Sequence, residues 1–229
     1  MKFGVVRFPG SSGDKDAYFA VRDVTGQSVE YIWHESTDLS GFDCIILPGG
    51  ASYGDYLRAG GVAKNSPIID AIRKFADGGG RVIGIGNGFQ ILCEAGLLPG
   101  DLLMNNTARF RCLPVKVRVD NNTSDFSGKC CKGQVLSLPI AHLTGRYYCD
   151  SDTLNVLEKD GRVLLRYCDE SGNATEQANP NGSVGNIAGV VNERGNIAGM
   201  MPHPERAVED ILGSTDGVCI LQSMVEARL

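Results

Sequence analysis

No stretch of this 229-residue chain approaches the ~18 consecutive apolar residues of a membrane-spanning helix, so no membrane span is expected. Long runs of like charge are also missing. The 22 basic and 27 acidic residues are dispersed and give a formal charge of -5. Binding to a phosphate backbone needs a concentrated basic patch, so no nucleic-acid partner is expected. The opening Met1-Lys2-Phe3-Gly4-Val5-Val6-Arg7-Phe8 has no long apolar segment behind a basic one, which argues against a secretory signal and for a cytoplasmic location. A glycine-rich loop ending in a phosphate-binding lysine is missing too, so no nucleotide is expected to be held by this chain. The eight cysteines have no regular spacing, and the chain is long enough to fold without staples. They read as free thiols in a reducing compartment.

What is present suits one large domain over residues 1–229, with no evident linker. Apolar residues make up 42%, enough for a sizeable core, and the 30 glycines point to many tight turns. The first half alternates strands and helices. Phe3 to Phe8, Val29 to Trp33, Phe42 to Leu47 and Arg81 to Ile85 read as strands. Asp14 to Val24, Pro67 to Ala76 and Asn87 to Glu94 read as helices. Near-continuous apolar strands separated by helices imply a parallel sheet covered on both faces. After Gly100 the pattern turns β-rich: Val115 to Val119, Val135 to Ile140, Val163 to Tyr167, Ile187 to Val191 and Ile197 to Met201. The polar stretch from Asp169 to Gly185 reads as a loop at an active site or interface. Val218 to Ala227 reads as a surface helix.

Three stretches carry candidate chemistry. In Val82-Ile83-Gly84-Ile85-Gly86-Asn87-Gly88-Phe89-Gln90 a strand meets a glycine-flanked turn and then a helix. That is either a nucleophile elbow or a tight turn that could cradle phosphate. An elbow lifts its apex residue to the positive end of a helix. The apex here is Gly86, which has no side chain to attack with. In Met201-Pro202-His203-Pro204-Glu205-Arg206, His203 and Glu205 are two apart, so extended backbone would point both the same way. They form a general base with its orienting carboxylate, or a structural pair. The glycine-rich turn Leu47-Pro48-Gly49-Gly50-Ala51-Ser52-Tyr53-Gly54-Asp55 is either an oxyanion-binding loop or a plain one.

Together these stretches resemble the class I glutamine amidotransferases, and more narrowly the glutaminase components of phosphoribosylformylglycinamidine synthases. The resemblance is carried by Arg7-Phe8-Pro9-Gly10-Ser11, Pro48 to Gly60, Gly84 to Leu92, Asn179-Pro180-Asn181-Gly182-Ser183 and Gly199 to Arg206, and covers almost the whole chain. It implies an α/β, flavodoxin-like fold: a mostly parallel sheet flanked by helices, with a β-rich second half. It implies a Cys-His-Glu triad at Gly86, His203 and Glu205, with Gly50, Asn87 and Gln90 framing the oxyanion and glutamine. Ammonia would pass to a synthetase subunit that uses ATP and magnesium, in a complex that can include a small third subunit. No metal or cofactor is implied for this chain itself.

Three departures from that pattern stand out. The nucleophile position is Gly86. Ser12-Gly13-Asp14 replaces the usual Asn-Cys-Asp. Leu143-Thr144 replaces the usual Gly-Glu, while His142, Arg146 and Tyr147 remain as a possible interface or substrate loop. Glycine at position 86 reflects either deliberate replacement or natural loss, and both imply negligible glutamine hydrolysis. A docking or regulatory subunit without catalysis is the alternative role. Cys93, two helical turns on and ~10 Å away, is expected to pack the core and not to replace the thiol.

Overall fold

A computed structural model describes residues 1–226. Eleven strands are assigned among these residues. β1 (Lys2–Arg7), β2 (Ser28–Trp33), β3 (Cys44–Leu47), β4 (Arg81–Ile85) and β11 (Ile197–Met200) are mutually parallel, in the spatial order β2-β1-β3-β4-β11. This is the flavodoxin-like order, in which the connections diverge next to β1. The sheet continues through antiparallel strands: β10 (Ile187–Val191), β9 (Val163–Tyr167), β6 (Arg111–Val119) and β7 (Val135–His142). The sequence's parallel first half and β-rich second half thus merge into one nine-stranded sheet.

The parallel strands inside the sheet are apolar on both sides because both faces are covered, while the edge strand β2 buries only Val29 and Ile32. Val5 and Val6 are adjacent, point to opposite faces, and are both fully buried. One face packs on α1 (Asp14–Ala20), which continues as a wider turn over Val21–Thr25, and on α5 (Val218–Glu226). The other packs on α2 (Pro67–Asp77) and α3 (Asn87–Glu94). α5 was expected at the surface, but Ile220, Leu221 and Met224 are buried in the core. The last residue of that expected helix, Ala227, lies outside the described residues. Among the described residues no helix is long and apolar enough to cross a membrane.

Three elements escaped the sequence reading. α4 (Ser151–Lys159) turns only Leu154 and Leu157 to the core and leaves Val156 exposed, so its apolar stripe is a single i,i+3 pair in a short helix. Its N-cap was readable: the Asp150 carboxylate accepts from Thr153 N at 2.7 Å. β5 (Asp101–Met104) and β8 (Thr144–Tyr148) form a separate antiparallel ribbon beside the main sheet.

The turn from β7 into β8 is held from behind by a buried polar network. Asn105 Nδ2 donates to the His142 carbonyl at 3.0 Å, and Asn105 Oδ1 lies 3.1 Å from His142 Nδ1. Asn181 Nδ2 donates to Gly145 O at 2.8 Å, and Ser183 Oγ accepts from Tyr147 N at 3.0 Å. The Asp169–Gly185 stretch is therefore a brace for this turn. Burial, and secondarily the neighbouring His203, push the His142 imidazole down to about 4, so it is neutral at pH 7.

A histidine whose pKa is depressed on folding takes up its proton more readily in the unfolded chain. Its contribution to stability is complete above the ordinary value of 6.5 and is lost as pH falls from there towards 4. Across that window the protein is expected to lose about 3 kcal/mol through this group. Urea-unfolding free energies at pH 7, 5.5 and 4 check this, and in a His142→Gln variant that component of the slope should vanish.

Candidate active site

Four loops meet at the carboxyl ends of the parallel strands, where open α/β sheets bind their ligands. They follow β1, β3, β4 and β11, and they hold the three candidate stretches of the sequence.

The turn after β4 is an elbow. Gly86 has φ +55° and ψ -109°, outside the regions ordinary side chains favour. Gly86 N donates to Met200 O at 2.8 Å, while Phe89 N and Gln90 N donate back to the Gly86 carbonyl at 3.1 and 3.3 Å. The neighbouring glycines permit this close reversal. A Cβ on Gly88 would overlap the Leu47 carbonyl, and one on Gly84 would overlap the Gly88 backbone. The N–H groups of Asn87 and Gly88 open α3 and have no carbonyl one turn back in the helix to bond.

His203 and Glu205 are brought together behind this apex. His203 Nδ1 lies 2.7 Å from Glu205 Oε1, with both residues only 3% exposed. The backbone between them is not extended, as the spacing suggested. Pro204–Arg206 form a 3-10 turn, and this turn makes the short contact. Prolines on both sides and the bond from His203 N to Pro139 O at 2.9 Å fix the turn. His203 Nε2 is buried with no partner among the described residues. A Cβ built on Gly86 would stand 3.2 Å from it and 3.0 Å from Cε1. One imidazole nitrogen thus binds the carboxylate and the other faces position 86.

The Asn87 amide ties the loop after β3 to the elbow, and Gln90 extends the link to the turn after β7. Asn87 Oδ1 accepts from Ser52 N at 3.0 Å, and Asn87 Nδ2 donates to Gln90 Oε1 at 2.8 Å and to Asp55 Oδ1 at 3.3 Å. Gln90 Nε2 in turn donates to the Thr144 carbonyl. Gly50 sits at φ +143°, and a Cβ there would meet the backbone of Gly10 to Ser12. Ser12 N and Gly13 N both donate to Gly49 O, at 3.2 and 3.0 Å. The Ser12-Gly13 pair therefore acts on the site by anchoring this loop.

A pocket of about 460 Å³ opens over the elbow. Gly50, Gly86, Asn87, Gln90, His142 and His203 line it, and Leu57, Leu103, Met104, Phe110 and Leu143 edge it. Leu143 and Thr144 line it directly, so the third departure in sequence bears on whatever the pocket holds. The structure does not bring Arg146 and Tyr147 into this pocket. Tyr147 is 1% exposed, stacks on Phe89 with ring centroids 5.9 Å apart, and donates to Pro99 O at 2.8 Å, so it cannot meet a substrate or a partner. Arg146 reaches the Met104 carbonyl at 3.2 Å. The Cys93 thiol is buried, faces Pro99 O at 3.9 Å, and is raised well above its ordinary pKa by burial. It is a poor nucleophile in the wrong place.

Asp55 and Met201 also line the pocket, and the sequence assigns neither a role of its own. The signal for Asp55 lay in the loop sequence, where a carboxylate follows Tyr53-Gly54. The left-handed backbone that aims it is not legible from residue types alone.

The geometry agrees with what the chain is similar to. The family model for the CobB/CobQ-like glutamine amidotransferase domain matches residues 1–216. A phosphoribosylformylglycinamidine synthase subunit PurQ from Moorella thermoacetica is 54% identical over 99% of this chain and 96% of its own length. The PurQ subunit of Aquifex aeolicus is likewise 54% identical, over 98% of this chain and 99% of its own. A chain in the solved structure of PurLQS from Thermotoga maritima superposes with a TM-score of 0.86 at 43% identity, covering 98% of this chain and 97% of that one. With its elbow, its His203–Glu205 pair and its parallel sheet in place, the chain belongs to the CobB/CobQ-like glutamine amidotransferases and, within them, to the PurQ family.

Proposed function

We propose that the chain is the glutaminase-type subunit of a phosphoribosylformylglycinamidine synthase, built to supply ammonia from glutamine during purine synthesis. The observation that carries this reading is the unpartnered His203 Nε2 facing the apex of a strand–helix elbow, with Glu205 on the opposite ring nitrogen. A thiol at that apex could pass its proton to His203 and attack the side-chain carbonyl of glutamine. His203 would then hand the proton to the departing ammonia, and water would release glutamate from the thioester. The free N–H groups of Asn87 and the Gly50 loop would face the oxyanion. The ammonia would go to a synthetase subunit, which uses ATP and magnesium, in a cytoplasmic complex that can include a small third subunit.

Gly86 removes the attacking atom, and no described thiol replaces it. The chain as it stands is read as inactive towards glutamine. The same missing atom favours a second reading, a docking subunit that holds or regulates a synthetase running on free ammonia.

A Gly86→Cys variant tests the first reading. The new Cβ needs the His203 ring to give by a few tenths of an ångström and places a side chain at φ +55°. Such backbone strain is expected to lower stability by about 1–3 kcal/mol. In the presence of the synthetase the variant should release ammonia from glutamine, while the unaltered chain stays at background. Adding His203→Asn to the variant should cut the rate by about 10²–10⁴-fold. Failure of the cysteine variant to release ammonia would favour the docking role.

A further inference from the structure

Asp55 is the only carboxylate on the wall of the pocket among the described residues. No described cation lies within ion-pairing distance of it, although Arg58 lines the same pocket. The Arg58 guanidinium is taken up by Glu94 through two hydrogen bonds, and Lys64 Nζ joins the same carboxylate at 3.1 Å. The one hydrogen bond to the Asp55 side chain comes from the Asn87 amide. Burial raises its pKa, and that amide bond offsets part of the rise.

The backbone is strained to put it there. Tyr53, Asp55 and Leu57 have φ of 54°, 52° and 71°, in the left-handed region that residues other than glycine seldom occupy. The segment is pinned around Asp55. Tyr53 N donates to Pro9 O at 2.6 Å, the Tyr53 hydroxyl meets His34 Nδ1 at 3.0 Å and Ser66 Oγ at 3.1 Å, and Ser52 N is held by Asn87. A carboxylate fixed at such cost in a pocket, without a cation of its own, is suited to receive one from a ligand.

We propose that Asp55 receives the α-ammonium of glutamine and so selects a free amino acid over other primary amides. This inference rests on the glutaminase reading above. Three carbon–carbon bonds separate the side-chain carbonyl of glutamine from its α-carbon. With the carbonyl over Gly86, the amino end extends along the wall that Asn87 shares with Asp55. Asp55 binds and selects; it takes no part in bond breaking.

Titration calorimetry on the full-length chain with the synthetase present tests the assignment, because Gly86 prevents turnover during the measurement. The probes are glutamine and glutaramate, which is glutamine without its α-amino group. Asp55→Asn keeps an oxygen for Asn87 and a residue that tolerates the left-handed region, so it removes charge alone. Glutamine is expected to bind about ten- to a hundredfold more weakly to this variant, while glutaramate binds as before or more tightly. An unchanged glutamine affinity, or equal loss for both probes, would overturn the proposal and leave the glutaminase reading standing. If glutamine fails to bind the unaltered chain and the Gly86→Cys variant releases no ammonia, that reading fails and the assignment of Asp55 falls with it.

Discussion

The reversal of the chain between β4 and α3 is the constraint on which the site depends. It requires a residue at φ +55° with its carbonyl bonded from two helix N–H groups and its own N–H bonded to β11. It also requires glycine at positions 84 and 88, since any Cβ there would overlap backbone. These demands fall on the backbone, and glycine at the apex meets them with less strain than any side chain. Glycine at position 86 therefore suits this architecture, whereas a side chain there would strain it. The other parts of the candidate site, built on other strands, close around that apex.

Those parts are coupled through buried amides. Asn87 and Gln90, on the first turn of α3, reach the loop after β3 and the turn after β7, so the elbow, the glycine-rich loop and the edge of the pocket form one unit. His203 and Glu205 arrive from β11 on a turn closed by proline. Behind them the Asn105–His142–Asn181 network supports the β7–β8 turn without exposing a charge. Side chains held this way keep their geometry before any ligand arrives, the preorganisation that acyl-transfer chemistry relies on.

Much of this was legible in the sequence because it depends on local rules. The parallel half shows as unbroken apolar runs, since its strands are buried on both faces. The sharp turn after β4 shows in its glycine spacing, which leaves an elbow and a plain turn both open, and the His203–Glu205 pair shows in its spacing and flanking prolines. What stayed hidden depends on tertiary context. α4 is short, and its apolar stripe is only the pair Leu154 and Leu157. α5 is read as a surface helix, but its run of Val218, Cys219, Ile220, Leu221, Met224 and Val225 is apolar on most sides and packs into the core. Tyr147 looks like a pocket residue beside His142, but strand alternation turns it inward to Phe89. Asp55 is aimed by consecutive left-handed residues, a conformation that its loop neighbours impose and that its own identity only permits.

The proposed glutaminase site lacks one side chain only, a nucleophile at position 86. The most direct measurement is mass spectrometry after treatment with a glutamine analogue that carries an electrophile in place of its side-chain amide. The Gly86→Cys variant should gain one adduct on the introduced thiol, dependent on His203, and the unaltered chain should gain none. Labelling of Cys93 or another native cysteine in the unaltered chain, or no adduct in the variant while it remains folded, would contradict the account.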